Sequence, residues 1–134
     1  TLGSRMLFRM NFRNRGGQET IVATHTVGPG GGGGQASVRW YEIRRSGGTS
    51  GPWSVFQQGT LANPDGNSRW MGGISMDDNG TIGLMYDVAG PTSFPSIKFT
   101  GRNLTDPLNT MTLAEQTVIN GTVSHTIADR CAAR

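Results

Sequence analysis

An all-β chain built from two four-stranded antiparallel units is what this sequence predicts, and three observations predict it. Apolar and polar residues alternate in short runs, the two-residue period of half-buried strands. Glycine supplies 21 of the 134 residues, about twice the roughly 7% of an average chain, as a turn-rich β protein requires. The second half then runs through the same succession of strand, turn, breaker and terminal glycine as the first.

The first strand is expected over residues 5–12, Arg5-Met6-Leu7-Phe8-Arg9-Met10-Asn11-Phe12, followed by a polar turn over residues 13–18. Residues 19–27 are rich in β-branched side chains that suit a pleated surface, so these two runs read as a hairpin. The glycine stretch over residues 28–34 leads to strands over 38–44 and 53–59. In the second half, residues 71–76 turn through Asp77-Asp78-Asn79-Gly80 into a strand over 81–88, with Asn-Gly providing the positive φ of a tight hairpin. A breaker over 89–93 precedes strands over 96–102 and 115–121.

Matching Ile21 with Ile82, Tyr41 with Phe99 and Gly59 with Gly121 gives separations of 61, 58 and 62 residues. Four short strands per copy at that period predict β-propeller-like blades, which usually run at roughly 40–50 residues and lengthen through loops. A single eight-stranded sandwich is the competing arrangement. The first blade-like repeat covers about residues 5–60 and the second about 70–122 of one unit spanning 1–134, with an irregular tail at 123–134. A blade leaves both faces apolar and buries them by stacking in a ring of typically four to eight blades. Two blades cannot close a ring. The expectation is therefore a fragment of a larger propeller, or an incomplete ring closed by homo-oligomerisation through the blade faces.

Several segments carry a resemblance: Arg39-Trp40-Tyr41-Glu42-Ile43-Arg44, Arg69-Trp70-Met71-Gly72, Met76-Asp77-Asp78-Asn79-Gly80 and Pro95-Ser96-Ile97-Lys98-Phe99-Thr100-Gly101-Arg102. They resemble segments of large uncharacterised secreted bacterial proteins with propeller-like repeats. The resemblance implies a secreted or extracellular location and a structural or ligand-binding role, and it carries no reaction. In those proteins the arginine matching Arg130 continues into an aromatic-Gly-Asp-Tyr run, whereas Cys131-Ala132-Ala133-Arg134 stands here, as in a truncated piece. Ser75-Met76-Asp77-Asp78-Asn79-Gly80-Thr81 is also similar to the Asp-box of sialidase-like propellers, with one extra residue between Asp77 and Gly80. The box is a turn-stabilising device in that family, so Asp77 is expected to accept backbone N–H bonds. Asp77, Asp78 and Asn79 are weak metal candidates, offering hard oxygens without the distal Glu of an EF-hand.

No other motif supplies chemistry. The glycine stretch at 28–34 lacks the Lys-Ser/Thr of a phosphate-binding loop. His25 and His125 belong to no His/Cys cluster, and Cys131 is the only cysteine. Three Asn-x-Thr sequons, at Asn79, Asn103 and Asn120, matter only in a eukaryotic secretory pathway.

Asp65, Asp77, Asp87, Asp106 and Glu42 are available carboxylates, and Arg39, Arg69, Arg102 and Tyr86 could complete a sialidase-like glycosidase, the alternative function. The candidate ligand-binding residues are Arg69, Trp70 and Trp40, because tryptophan beside arginine can stack on a sugar ring or pair with an acid. No catalytic residue is assigned, and no cofactor is expected. A net charge of +3 spread along the chain is too diffuse for a nucleic-acid footprint. No apolar run reaches the ~20 residues of a membrane-spanning helix, and Thr1-Leu2-Gly3-Ser4-Arg5 lacks the apolar core of a signal peptide. The expected function is a structural or ligand-binding module, carbohydrate being the leading ligand class.

Overall fold

The computed structural model describes residues 5–7, 9–28, 34–46 and 50–124. His125, Cys131, most of the glycine stretch and the end of the tail lie outside the described residues. Within them the chain is all-β. Strands β1 (Asn11–Arg15), β2 (Gln18–Val27), β3 (Ser37–Arg45) and β4 (Ser54–Leu61) form one antiparallel sheet in chain order. A second, also in chain order, contains β5 (Ser68–Met76), β6 (Ile82–Gly90), β7 (Ser93–Arg102) and β8 (Gln116–Ile119). No α-helix and no closed barrel occurs among the described residues, so no helix there could cross a membrane.

The first strand lies later than its hydrophobic pattern suggests. The polar run Arg13-Asn14-Arg15 is strand, and the turn is Gly16-Gly17, both at positive φ. The physical reason is long-range. Arg13 Nε donates to the Met76 carbonyl at 2.8 Å, and Arg15 donates to the carbonyls of Asp78 and Asn79 at 3.1 Å. The arginines thereby satisfy carbonyls of the β5–β6 turn, a partner that local periodicity cannot reveal.

The sheets pack face to face around one core. Val22, Val38 and Trp40 come from the first sheet, while Ile74, Met76, Ile82, Leu84, Tyr86 and Val88 come from the second. β5 lies over β2, flanked by β1 and β3. Met71 N–H donates to Thr26 Oγ1 at one end of β5 and Met76 N–H to Asn11 Oδ1 at the other, both at 3.2 Å. β5 therefore runs with β1 and against β2.

The register relates the two halves more closely than the sequence match does. Ile21 pairs with Ile43, and its counterpart Ile82 pairs with Arg102, so Phe99 falls on Trp40 rather than on Tyr41. With Ile21 and Ile82 kept as counterparts, the inward face of the first sheet, carrying Val22, Thr24 and Trp40, corresponds to the outward face of the second, carrying Gly83, Met85 and Phe99. Conversely, inward Ile82 and Leu84 match Ile21 and Ala23 on the far side of the first sheet. Opposite faces of equivalent sheets meet in the core.

Gly72 sets the closeness of this packing. The β5 register shifts between Trp70 and Gly73, Met71 sits at φ 52°, and Gly72 presses onto the first sheet. A Cβ there would stand 2.8 Å from Val38 Cγ1 and 3.0 Å from Thr24 Oγ1. Both neighbours are buried, so Gly72→Ala is expected to destabilise by about 1–3 kcal/mol in a denaturant titration. Gly73→Ala, with open space at its Cβ, is the near-neutral control.

Candidate ligand groove around Trp70

Alternation along β5 sends Arg69 inward and Trp70 outward. Arg69 is 1% exposed and lies at the edge of the core. Its Nε donates to Glu115 Oε2 at 2.9 Å, and Nη2 donates to Glu115 Oε1 at 3.2 Å and to Asp65 Oδ2 at 2.8 Å. Nη1 donates to Asp65 Oδ1 at 3.0 Å and the Asn67 carbonyl at 3.1 Å. All five N–H donors of the guanidinium are thus engaged within the chain. The acid-pairing role weighed for Arg69 is met internally, by residues 4 and 46 positions away in sequence.

Glu115 is the centre of this cluster. Lys98 Nζ donates to its Oε1 at 2.8 Å and Tyr86 Oη to its Oε2 at 2.8 Å. Burial pushes the Glu115 carboxyl upward, but the bonds from Arg69, Lys98 and Tyr86 outweigh it and hold the group at about 2. Asp65 is likewise held well below the carboxylate range, chiefly by the Arg69 hydrogen bonds. Burial raises the Tyr86 phenol well above its ordinary value, and its bond to Glu115 adds to the shift. Sequence reasoning named Asp65 and Tyr86 but not Glu115, whose only sequence signal is its position at the start of the last strand run.

A second buried polar cluster joins β3, β4 and the loop after β7. Arg44 Nε donates to Glu42 Oε1 at 2.6 Å, while Gln57 bridges Glu42 and Arg102. Arg102 Nη2 also donates to the Asp106 carbonyl at 2.8 Å, which anchors that loop.

Trp70 stands in a different environment. It is half-buried on the outward face of the second sheet, in a cross-strand row with Asp87, Ile97 and Ile119. Two hollows meet at its ring. The one toward the rim, about 730 Å³, is walled by Pro91, Thr92, Phe94 and Pro95 of the β6–β7 turn. The other extends along the sheet to Asp87 and Ile119. Asp87 is bonded to no cation among the described residues, and burial alone raises its carboxyl above the ordinary value. The turn itself is fastened by Asn67, whose Nδ2 donates to Thr92 Oγ1 at 2.9 Å and to Asp65 Oδ2 at 3.2 Å. The Arg69 cluster therefore supports the rim groove from beneath, through Asp65 and Asn67.

The other candidates are placed elsewhere. Trp40 is 1% exposed in the core between the sheets. Asp77 closes the β5–β6 turn: its Oδ1 accepts the Thr81 N–H at 2.8 Å and its carbonyl the Gly80 N–H at 3.1 Å. That Thr81 bond is the main cause of a lowered Asp77 carboxyl. Gly80 alone of the turn takes a positive φ, 87°. Asp78 reaches toward Arg13 at 3.8 Å, and the Asn79 carbonyl accepts from Arg15. Arg39 lies on the outward face of the first sheet, donating to Tyr41 Oη at 3.2 Å, Thr60 Oγ1 at 2.8 Å and Gln58 Oε1 at 2.7 Å. His25 stacks on Tyr41 beside it, 5.7 Å between ring centroids.

Comparison with protein-family models, curated proteins and solved structures finds no match to the chain.

Proposed function

We propose that the chain is a non-catalytic pair of propeller-like blades that binds neutral carbohydrate in the rim groove around Trp70. The blade reading is supported by the meeting of opposite faces of equivalent sheets, the relation that successive blades of a ring have. The binding reading rests on one observation above the others. An indole and the Phe94 ring, 48% exposed, stand in one open groove with the proline walls and the Thr92 and Ser93 hydroxyls of a braced turn. Sugar C–H faces bury well against such rings, and hydroxyls satisfy the polar edge. The Asp87 carboxylate nearby disfavours an acidic sugar and favours a neutral one. A binding role is favoured over the glycosidase alternative by the state of the other groups, since Asp65 and Glu115 are committed to Arg69 and Tyr86 is buried with a raised phenol.

Trp70→Ala is expected to weaken binding of neutral oligosaccharides about tenfold or more, a loss of about 1.4 kcal/mol, with unfolding still cooperative. Isothermal titration against a panel of such oligosaccharides measures this. Binding that is undetectable in the parent chain, or unchanged in the variant, would reject the site. Bond cleavage that disappears in Asp87→Asn would replace the binding reading with the glycosidase one.

A further inference from the structure

Each outward face carries an apolar row that no other strand covers among the described residues. On the first sheet, one residue from each strand forms a continuous row, Phe12, Ile21, Ile43 and Val55, of which Phe12 and Val55 are 50% and 53% exposed. On the second, Met85 and Phe99 pair beside Gly73 and line a hollow of about 710 Å³ that Arg9, Met10 and Asn11 border on its β5 side. The next row on that face continues through Ile97 to Ile119, which is 57% exposed. Monomeric proteins rarely leave two such surfaces open.

The register dictates what fits them. The outward face of the second sheet corresponds to the inward face of the first, which the chain already covers with the inward face of its second sheet. That covering face corresponds in turn to the outward face of the first sheet. The intramolecular interface can therefore be repeated between molecules by one rule, in which the first sheet of one copy lies on the second sheet of the next. Charge agrees with this. Arg39 on one face is held only by neutral acceptors, whereas Asp87 on the other has no cation bonded to it among the described residues. The two faces thus carry opposite charges that the chain leaves uncompensated.

We infer that the occupant of each outward face is a second copy of this chain, added head to tail. The contact is heterologous, so it propagates, and the two-blade unit makes a closed ring of three or four copies the natural end point. The Met85 hollow lies toward the opposite end of the sheet from the rim groove. This inference rests on the blade reading but not on carbohydrate binding, which is measured separately.

Light scattering on the full chain and on variants that block one face each tests it. The parent chain at about 100 µM is expected to have a mass three or four times that of the monomer. Phe12→Glu, on the first face, and Met85→Glu, on the second, are each expected to be monomeric because each propagating contact needs both faces. An equimolar mixture of the two is expected to give a dimer, since one open face of each kind remains. The double variant stays monomeric even when mixed with itself. Val55→Glu on the first face, and Gly73→Glu beside Met85 on the second, where an added Cβ meets open space, give the same pattern if either first choice fails to fold. A monomeric parent overturns the inference. So does a dimer that survives one of the single substitutions, which would mark a two-fold contact through one face. A mixture that remains monomeric also overturns it.

Discussion

Replacing Arg69 with alanine is expected to lower the unfolding free energy by about 3–5 kcal/mol, because it strips a buried ion pair of its cation and takes from Glu115 and Asp65 the four hydrogen bonds that Arg69 gives them. Arg69 is 1% exposed, and the side chains it grips, Glu115 and Asp65, are 16% and 36% exposed. Arg69→Met, which keeps much of the volume, is expected to recover part of the packing and little of the loss. A denaturant titration reads both variants. A change under 1 kcal/mol would show that Lys98 and Tyr86 suffice to hold Glu115.

The same cluster gives stability a defined acid dependence. The Glu115 carboxyl is depressed in the folded chain, from 4.5 to about 2. Its contribution is complete above the unfolded value and disappears as pH falls toward the folded one. On the order of 2–3 kcal/mol is therefore expected to vanish between about pH 4.5 and pH 2. Asp65, also depressed, contributes in the same direction and at the lower end of that window. Glu115→Gln is expected to be less stable at neutral pH and to flatten the profile across the window, which distinguishes this source from general acid unfolding.

These residues also mark where a sequence ceases to be legible. Strands such as β6 can be read from alternation because one face is buried along them, as in Ile82, Leu84, Tyr86 and Val88, whereas β8 is exposed along its whole length and is legible only from its β-branched composition. The β5–β6 turn can be read because Asp77 and Gly80 are chemically specialised for it. β1 is displaced because Arg13 and Arg15 answer to carbonyls more than sixty residues away. For the groove, Trp70 carries a visible signal, an aromatic beside a charge. Phe94 and Pro95 join it only because the β6–β7 hairpin folds back, and Asp87 stands out only because no cation is bonded to its carboxylate among the described residues. Glu115 could be recognised only by the convergence of Arg69, Lys98 and Tyr86 on one point, which no local pattern encodes.

Trp40→Ala is the second change expected to have a large effect, about 3–5 kcal/mol, since the largest fully buried side chain of the core would be replaced by a void. Its neighbour explains why the site tolerates no simple repair. A Cβ on Gly59 would stand 2.7 Å from Trp40 Nε1 and 2.7 Å from the Asn109 carbonyl, so the glycine exists to admit the indole. Gly59→Ala alone is expected to destabilise by about 1–3 kcal/mol. In a Trp40→Phe background the ring nitrogen is gone and only the Asn109 contact opposes the new methyl. The cost of Gly59→Ala should then fall by about half or more, a coupling that a double-mutant cycle reads directly. Additive losses would mean that the Asn109 backbone, not the indole, excludes a side chain at position 59. The packing of β3 against β4 would then be set by the loop after β7.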